Sequence, residues 1–142
     1  MKTLIITLFS SLILTLSALA HGNVELGPKG GRLVEFGDHS GVHAEVVLKD
    51  GQFIISLYDE KAKKEVPITD QEIVITHRES KEKLKPELKD GQWVVAKPEG
   101  NDFWLIIQFK ENAQAKAKNG RLHFDASICS ACKEQEWLCK CS

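Results

Sequence analysis

An alternation of apolar and polar residues runs through most of this chain and constrains its fold more than any other feature. It is clearest where Phe103, Leu105, Ile107 and Phe109 recur at every second position, and it extends with β-branched and aromatic enrichment over 30–124. Residues two apart share a face in an extended strand but not in a helix. The pattern therefore predicts a fold built from strands.

The alternating segments divide into short strands separated by turns at roughly 8–12-residue spacing, which is typical of a β-sandwich. Asp50-Gly51 and Asp90-Gly91 are predicted two-residue hairpin turns, and Asn119-Gly120 is predicted to be a further turn. The predicted strands are 32–36, 42–48, 53–58, 72–77, 81–88 (a charged edge strand), 93–96, 102–109 and 121–124. We expect an all-β fold, an antiparallel β-sandwich of seven or eight short strands, followed by a short Cys-rich C-terminal helix or loop.

The first twenty residues have the pattern of a secretory signal peptide. Lys2 precedes an apolar segment from Leu4 to Leu16, and Ser17-Ala18-Leu19-Ala20 ends in an Ala-x-Ala cleavage site. The apolar segment is too short for a transmembrane span of about 20 residues, and no cysteine follows it for lipidation. We therefore expect cleavage after Ala20, no membrane span in the mature chain, and a periplasmic or secreted location.

The charge of the chain is close to neutral. The formal charge is −1 at pH 7, and losing the signal peptide removes only the positive charge of Lys2. A nearly neutral chain has no basic surface to attract nucleic acid, so we expect no such partner. The expected organisation is a signal peptide over 1–20, a flexible segment over 21–30, a β-sandwich domain over 31–126 and a Cys-rich tail over 127–142.

All four cysteines lie in the last fourteen residues, as a CxxC pair followed by a CxC pair: Cys129, Cys132, Cys139 and Cys141. Four thiolates suit Zn(II) in tetrahedral coordination or Cu(I) at lower coordination. If 130–138 forms a helix, the first three cysteines share one of its faces.

Two disulfides are the alternative for these cysteines, because an exported chain with an even cysteine count is typical of a disulfide-bonded protein. A catalytic redox pair is disfavoured, since the CxxC does not begin a helix after a strand. The residues alone leave the metal thiolate site and the disulfides both open.

A second candidate metal site lies towards the N-terminus. After cleavage, His21 would offer an α-amine and an imidazole to one metal ion, with His39 or His43 as a further ligand. His43 and Glu45 are two apart on a predicted strand and leave the same face, close to Asp38 and His39. The alternative is an exposed first residue and ordinary strand and loop polar groups.

No catalytic set is present in the sequence. There is no GxSxG nucleophile elbow, and Gly30-Gly31 precedes a predicted strand and not the helix that a phosphate-binding loop requires. We therefore expect that the protein is not an enzyme.

Several segments carry a resemblance to a known family: His21-Gly22, Gly27-Pro28-Lys29-Gly30-Gly31-Arg32-Leu33, His43-Ala44-Glu45-Val46-Val47-Leu48, Phe53-Ile54-Ile55-Ser56-Leu57-Tyr58-Asp59 and Val66-Pro67-Ile68. Together they resemble the small N-terminal β-domain of periplasmic adaptor (membrane-fusion) proteins of heavy-metal efflux (RND) pumps, and the short stand-alone periplasmic proteins that share this domain. The resemblance covers roughly 27–127. The chain lacks the adaptors' long helical hairpin and lipoyl-like segment, and the cysteine tail is outside the adaptor pattern.

The resemblance implies a role near metal resistance. Together with the cysteines it leads us to expect an exported heavy-metal-binding accessory, chaperone or scavenger protein that binds copper or zinc and is linked to metal efflux. Its partners would be the metal ion and components of an efflux pump. The alternative is a disulfide-stapled structural or protein-interaction module of the cell envelope.

Overall fold

The computed structural model describes residues 24–37 and 41–141; the predicted signal peptide therefore lies outside the described residues. Within these ranges the chain forms ten strands and one short 3-10 turn, and every strand pairing is antiparallel. Among the residues described, no helix is long and apolar enough to cross a membrane. The strands are β1 (Arg32–Glu35), β2 (Val42–Lys49), β3 (Gln52–Asp59), β4 (Glu65–Val66), β5 (Glu72–His77), β6 (Lys83–Leu84), β7 (Glu87–Lys89), β8 (Gln92–Ala96), β9 (Asp102–Lys110) and β10 (Lys118–Asp125), and the 3-10 turn is Glu136–Leu138.

The strands form two antiparallel sheets. The larger has the order β1-β2-β3-β8-β7, with β4 paired to β3, and the smaller has the order β10-β9-β5-β6. The predicted hairpin turns are confirmed: Asp50 and Gly51 join β2 to β3, and Asp90 and Gly91 join β7 to β8, all four with positive φ. Positive φ at both central residues matches the right-handed twist of the flanking strands.

The apolar faces of the two sheets share one core. The alternating residues of β9, from Phe103 to Phe109, are buried as predicted. Phe53 of β3 lies edge-on to Phe124 of β10, with ring centroids 5.6 Å apart, and Phe36 stacks on Phe109 at 4.7 Å. Period-two alternation thus places one side of each sheet in the core, as in strands generally.

The described residues form ten strands where seven or eight were expected, because a strand of two or three residues is too short to show an alternating pattern. The predicted edge strand 81–88 is divided at Pro86. Lys83–Leu84 pairs with β5 in the smaller sheet, and Glu87–Lys89 pairs with β8 in the larger one. A proline cannot donate to a ladder, so a break at this position is expected.

One local prediction is wrong. Asn119 and Gly120 are not a turn but lie within β10, where Gly120 pairs with Ile107. The sequence leaves a helix or a loop open for the Cys-rich end, and in the structure 130–138 forms turns and the single 3-10 turn Glu136–Leu138. The Cys-rich end of the chain is therefore a loop.

Candidate metal centre

The first cysteine pair lies in a tight turn after β10. The backbone N–H of Cys129 donates to the carbonyl of Glu134 at 2.8 Å, and the N–H of Lys133 donates back to the carbonyl of Cys129 at 3.0 Å. An isolated antiparallel bridge between Ile128 and Gln135 continues the pairing. Lys133 has a φ of 66°, the left-handed conformation that lets the chain reverse directly after Cys132. The turn brings the two arms of the loop side by side.

The second pair follows the 3-10 turn. Its arm is fixed to the body of the protein by Trp137, which is buried and lies 5.3 Å from Phe124 and 6.2 Å from Phe53 between ring centroids. Arg32 of β1 donates to the carbonyl of Trp137 at 3.3 Å. Cys139 therefore starts from a position set by the core, and the loop is not a free extension of the fold.

These two arms bring all four thiols together. The Sγ atoms of the cysteines lie within 4.8 Å of one another. Among the His, Cys, Asp and Glu side chains of the described residues, these four form the group that could hold a metal ion. With metal–sulfur distances near 2.3 Å, a tetrahedral site separates its sulfurs by about 3.8 Å. A four-thiolate site therefore needs only small side-chain movements. The four residues are Cys129, Cys132, Cys139 and Cys141.

Backbone amides already point at two of the sulfurs. The N–H of Cys141 donates to Sγ of Cys139 at 3.3 Å. The N–H of Cys132 donates to Sγ of Cys129 and, with the thiol of Cys139, lowers the pKa of Cys129 to about 7. Such donors stabilise the thiolate form, which is the form that binds metal.

Hydrogen bonds within the cluster oppose ionisation of two other thiols, those of Cys139 and Cys141. The hydrogen bond with Cys129 raises the pKa of Cys139 to about 12, and the hydrogen bond with Cys132 raises the pKa of Cys141. Four negative sulfurs at this spacing need a cation to offset their repulsion. The cluster therefore has the donor chemistry of a soft or borderline metal site.

Burial differs within the cluster. Cys129 and Cys139 are each 6% exposed, whereas Cys132 and Cys141 are exposed. All four are free thiols, with no pair at disulfide-bonding distance. The arrangement buries one side of a candidate site in the protein and leaves the other side open to solvent.

His43 and Glu45 share one face of β2, as predicted, but lie outside the cysteine group. Glu45 is fully buried beneath the loop 27–31, and its Oε1 accepts the backbone N–H groups of Lys29 at 2.8 Å and Gly31 at 2.9 Å. Nδ1 of His43 lies 3.3 Å from the Asp59 carbonyl oxygen. Both side chains thus have protein partners in the structure.

Two further predicted ligands, His21 and His39, fall outside the described residues, as does Asp38. The other histidines lie apart from the cysteine cluster. Nδ1 of His77 accepts a hydrogen bond from the N–H of Ser80 at 3.1 Å. His123 stacks on Trp104, and its Nε2 lies in hydrogen-bond contact with Oδ1 of Asp102 at 2.8 Å.

Sequence reasoning missed the residues that build the loop. Trp137 lies between the two cysteine pairs in an otherwise polar segment, and a single large aromatic there could have been interpreted as an anchor in the core. The left-handed conformation of Lys133 had no such signal, because glycine is the residue that ordinarily marks it.

Neither the protein-family models nor the curated proteins nor the solved structures compared with this chain give a match.

Proposed function

We propose that this protein is an exported β-sandwich that binds a heavy-metal ion through Cys129, Cys132, Cys139 and Cys141. The observation that carries the proposal is the approach of the four thiol sulfurs to within 4.8 Å on a loop fixed by a buried tryptophan. Sulfur donors favour Zn(II) and Cu(I) over hard cations. A set of four favours tetrahedral Zn(II), whereas Cu(I) is satisfied by fewer sulfurs.

The setting we propose for this site is the cell envelope. The signal-peptide pattern over 1–20 supports export, and the resemblance over 27–127 to the N-terminal domain of heavy-metal efflux adaptors supports a role as accessory, chaperone or scavenger. Components of an efflux pump are then the proposed protein partners. The exposure of Cys132 and Cys141 supports metal exchange over a permanently enclosed structural ion.

Metal analysis of the exported chain tests the proposal. Protein purified under reducing conditions and reconstituted with Zn(II) or Cu(I) should hold one ion per chain after gel filtration. The double variant Cys129→Ser/Cys139→Ser should lose it, because the two buried donors are removed while the fold keeps residues of similar size. Retention of less than about 0.1 equivalent by the unaltered protein would reject the proposal.

The matched control variant is His43→Ala. It removes the described histidine of the second predicted site and leaves the four thiols in place. An unchanged stoichiometry with His43→Ala assigns the ion to the cysteines. A loss of the ion in this variant alone would assign it instead to the N-terminal site.

A further inference from the structure

Two thiols from opposite arms of the cysteine loop are in contact. Sγ of Cys132 lies 3.4 Å from Sγ of Cys139. A disulfide needs about 2.0 Å, so the two sulfurs must approach by about 1.4 Å, which lies within the reach of side-chain rotation. Cys132 is exposed and Cys139 is buried, so one member of the pair can be reached from solvent.

We propose that Cys132 and Cys139 form a reversible oxidation site whose disulfide releases bound Zn(II). The metal-release step rests on the proposed function; the disulfide itself does not. The metal thiolate site and the disulfide, which the sequence leaves as alternatives, are then two states of one cluster.

The co-reactant is a disulfide of a small molecule or protein, RSSR. The thiolate of Cys132 attacks one sulfur of RSSR, an RS⁻ group leaves, and a mixed disulfide forms on Cys132. Cys139 then attacks the Cys132 sulfur, losing its thiol proton, and expels the second RS⁻, which takes up a proton. The two cysteines together lose two protons and two electrons, and RSSR is reduced to two RSH.

The structure favours this pairing over one between Cys139 and Cys141. Cys141 is also exposed, but it is only two residues from Cys139, and a ring closed over so short a segment would be strained. Once Cys132 and Cys139 are joined, Cys129 and Cys141 are the thiols that remain. Two sulfurs are too few for a tetrahedral four-thiolate Zn(II) site, so Zn(II) leaves.

Peptide mapping tests the pairing. The reduced exported chain is treated with oxidised glutathione, its free thiols are blocked, and it is cut with trypsin after Arg121, Lys133 and Lys140. Before the thiols are blocked, the intact mass should already have fallen by about 2 Da, because two hydrogens are lost when one disulfide forms. The expected product joins peptide 122–133 to peptide 134–140.

Cys129 and Cys132 share peptide 122–133, so matched variants separate them. Cys129→Ser should still form the link between the peptides, and Cys132→Ser should lose it. The proposal is overturned if Cys132→Ser keeps the link and Cys129→Ser loses it. A disulfide confined to peptide 122–133, or one that joins peptide 141–142 to either of the other two peptides, would also overturn it.

Release of Zn(II) from the loaded protein is followed with a chromogenic chelator during the same oxidation. The release should follow disulfide formation in time and should reverse after reduction. Disulfide formation with the metal retained would overturn the release step. A chain that forms the mapped link but never binds metal would overturn the proposed function while supporting the oxidation site.

Discussion

The indole ring of Trp137 lies 5.3 Å from the ring of Phe124, which joins the cysteine loop to the last strand of the smaller sheet. Trp137 is 3% exposed. Its Nε1–H donates to Oε1 of Gln135 at 2.8 Å, so the buried indole N–H has a hydrogen-bond acceptor in the same loop. The segment between the two cysteine pairs thus contributes to the core of the protein. The position of Cys139 depends on that packing.

Trp137→Ala should therefore affect stability and the thiol cluster together. Removing a buried aromatic ring is expected to lower the free energy of unfolding by about 3–5 kcal/mol, through lost burial and the cavity left behind. The arm that carries Cys139 and Cys141 would lose its anchor, and metal affinity should fall. Urea denaturation and competition with a chelator measure the two effects.

Trp104→Ala is the matched control. Trp104 is half-buried and stacks on His123 at 4.5 Å, away from the cysteine loop. Loss of that stacking is expected to cost about 1 kcal/mol, with metal affinity unchanged. If both tryptophan variants weakened metal binding equally, the loss would reflect general destabilisation and not the anchor.

The sequence predicts the main strands well because burial of apolar side chains alone decides which residues face the core. In β9, Phe103 to Phe109 alternate between core and surface, and burial of apolar area decides that pattern locally. The two Asp-Gly turns can also be predicted locally, because both central residues of such a turn have positive φ and Asp-Gly is a preferred sequence for it. The short strand Glu65–Val66 forms only because it pairs with Leu57 and Tyr58 of β3. Its own two residues are too few to show an alternating pattern.

The cysteine site is only partly predictable for the same reason. The spacing identifies the four cysteines, but a helix over 130–138 would have been needed to place three of them on one face. The chain instead reverses at Lys133 and pairs Ile128 with Gln135. Packing of Trp137 against the core favours that path, and tertiary packing overrides local helix preference.

Glu45→Ala should destabilise the N-terminal loop. The carboxylate is fully buried, and its Oε1 accepts two backbone N–H groups, those of Lys29 and Gly31. Leaving buried donors without an acceptor is expected to cost about 2 kcal/mol or more. Glu45→Gln keeps an acceptor oxygen and should cost less. Chemical denaturation and hydrogen exchange at the two amides measure this, and equal costs for both variants would contradict the role.

Gly120→Ala should be destabilising even though Gly120 has ordinary strand geometry. A Cβ at this position would lie 2.5 Å from Cγ1 of Val34 and 2.8 Å from the carbonyl oxygen of Glu35, because β10 passes directly against β1. Overpacking of this kind is expected to cost about 1–3 kcal/mol. The neighbouring exposed Asn119→Ala should change stability by less than about 0.5 kcal/mol. Thermal unfolding compares the two, and equal shifts would count against the close approach.

The thiols of the metal-free protein should titrate in separate steps. Because hydrogen bonds lower the pKa of Cys129 to about 7 and raise the pKa of Cys139 to about 12, one thiolate should appear near neutral pH. A lowered folded pKa contributes stability that is present above the ordinary thiol value and is lost as the pH falls through about 7. Ultraviolet thiolate absorbance against pH measures the steps. Cys129→Ser should remove the step near 7, while Cys141→Ser should retain it, since the backbone N–H of Cys132 and the thiol of Cys139 are the main donors to Cys129. A first step near the ordinary thiol value in the unaltered protein would show that the amide donors do not act on Cys129.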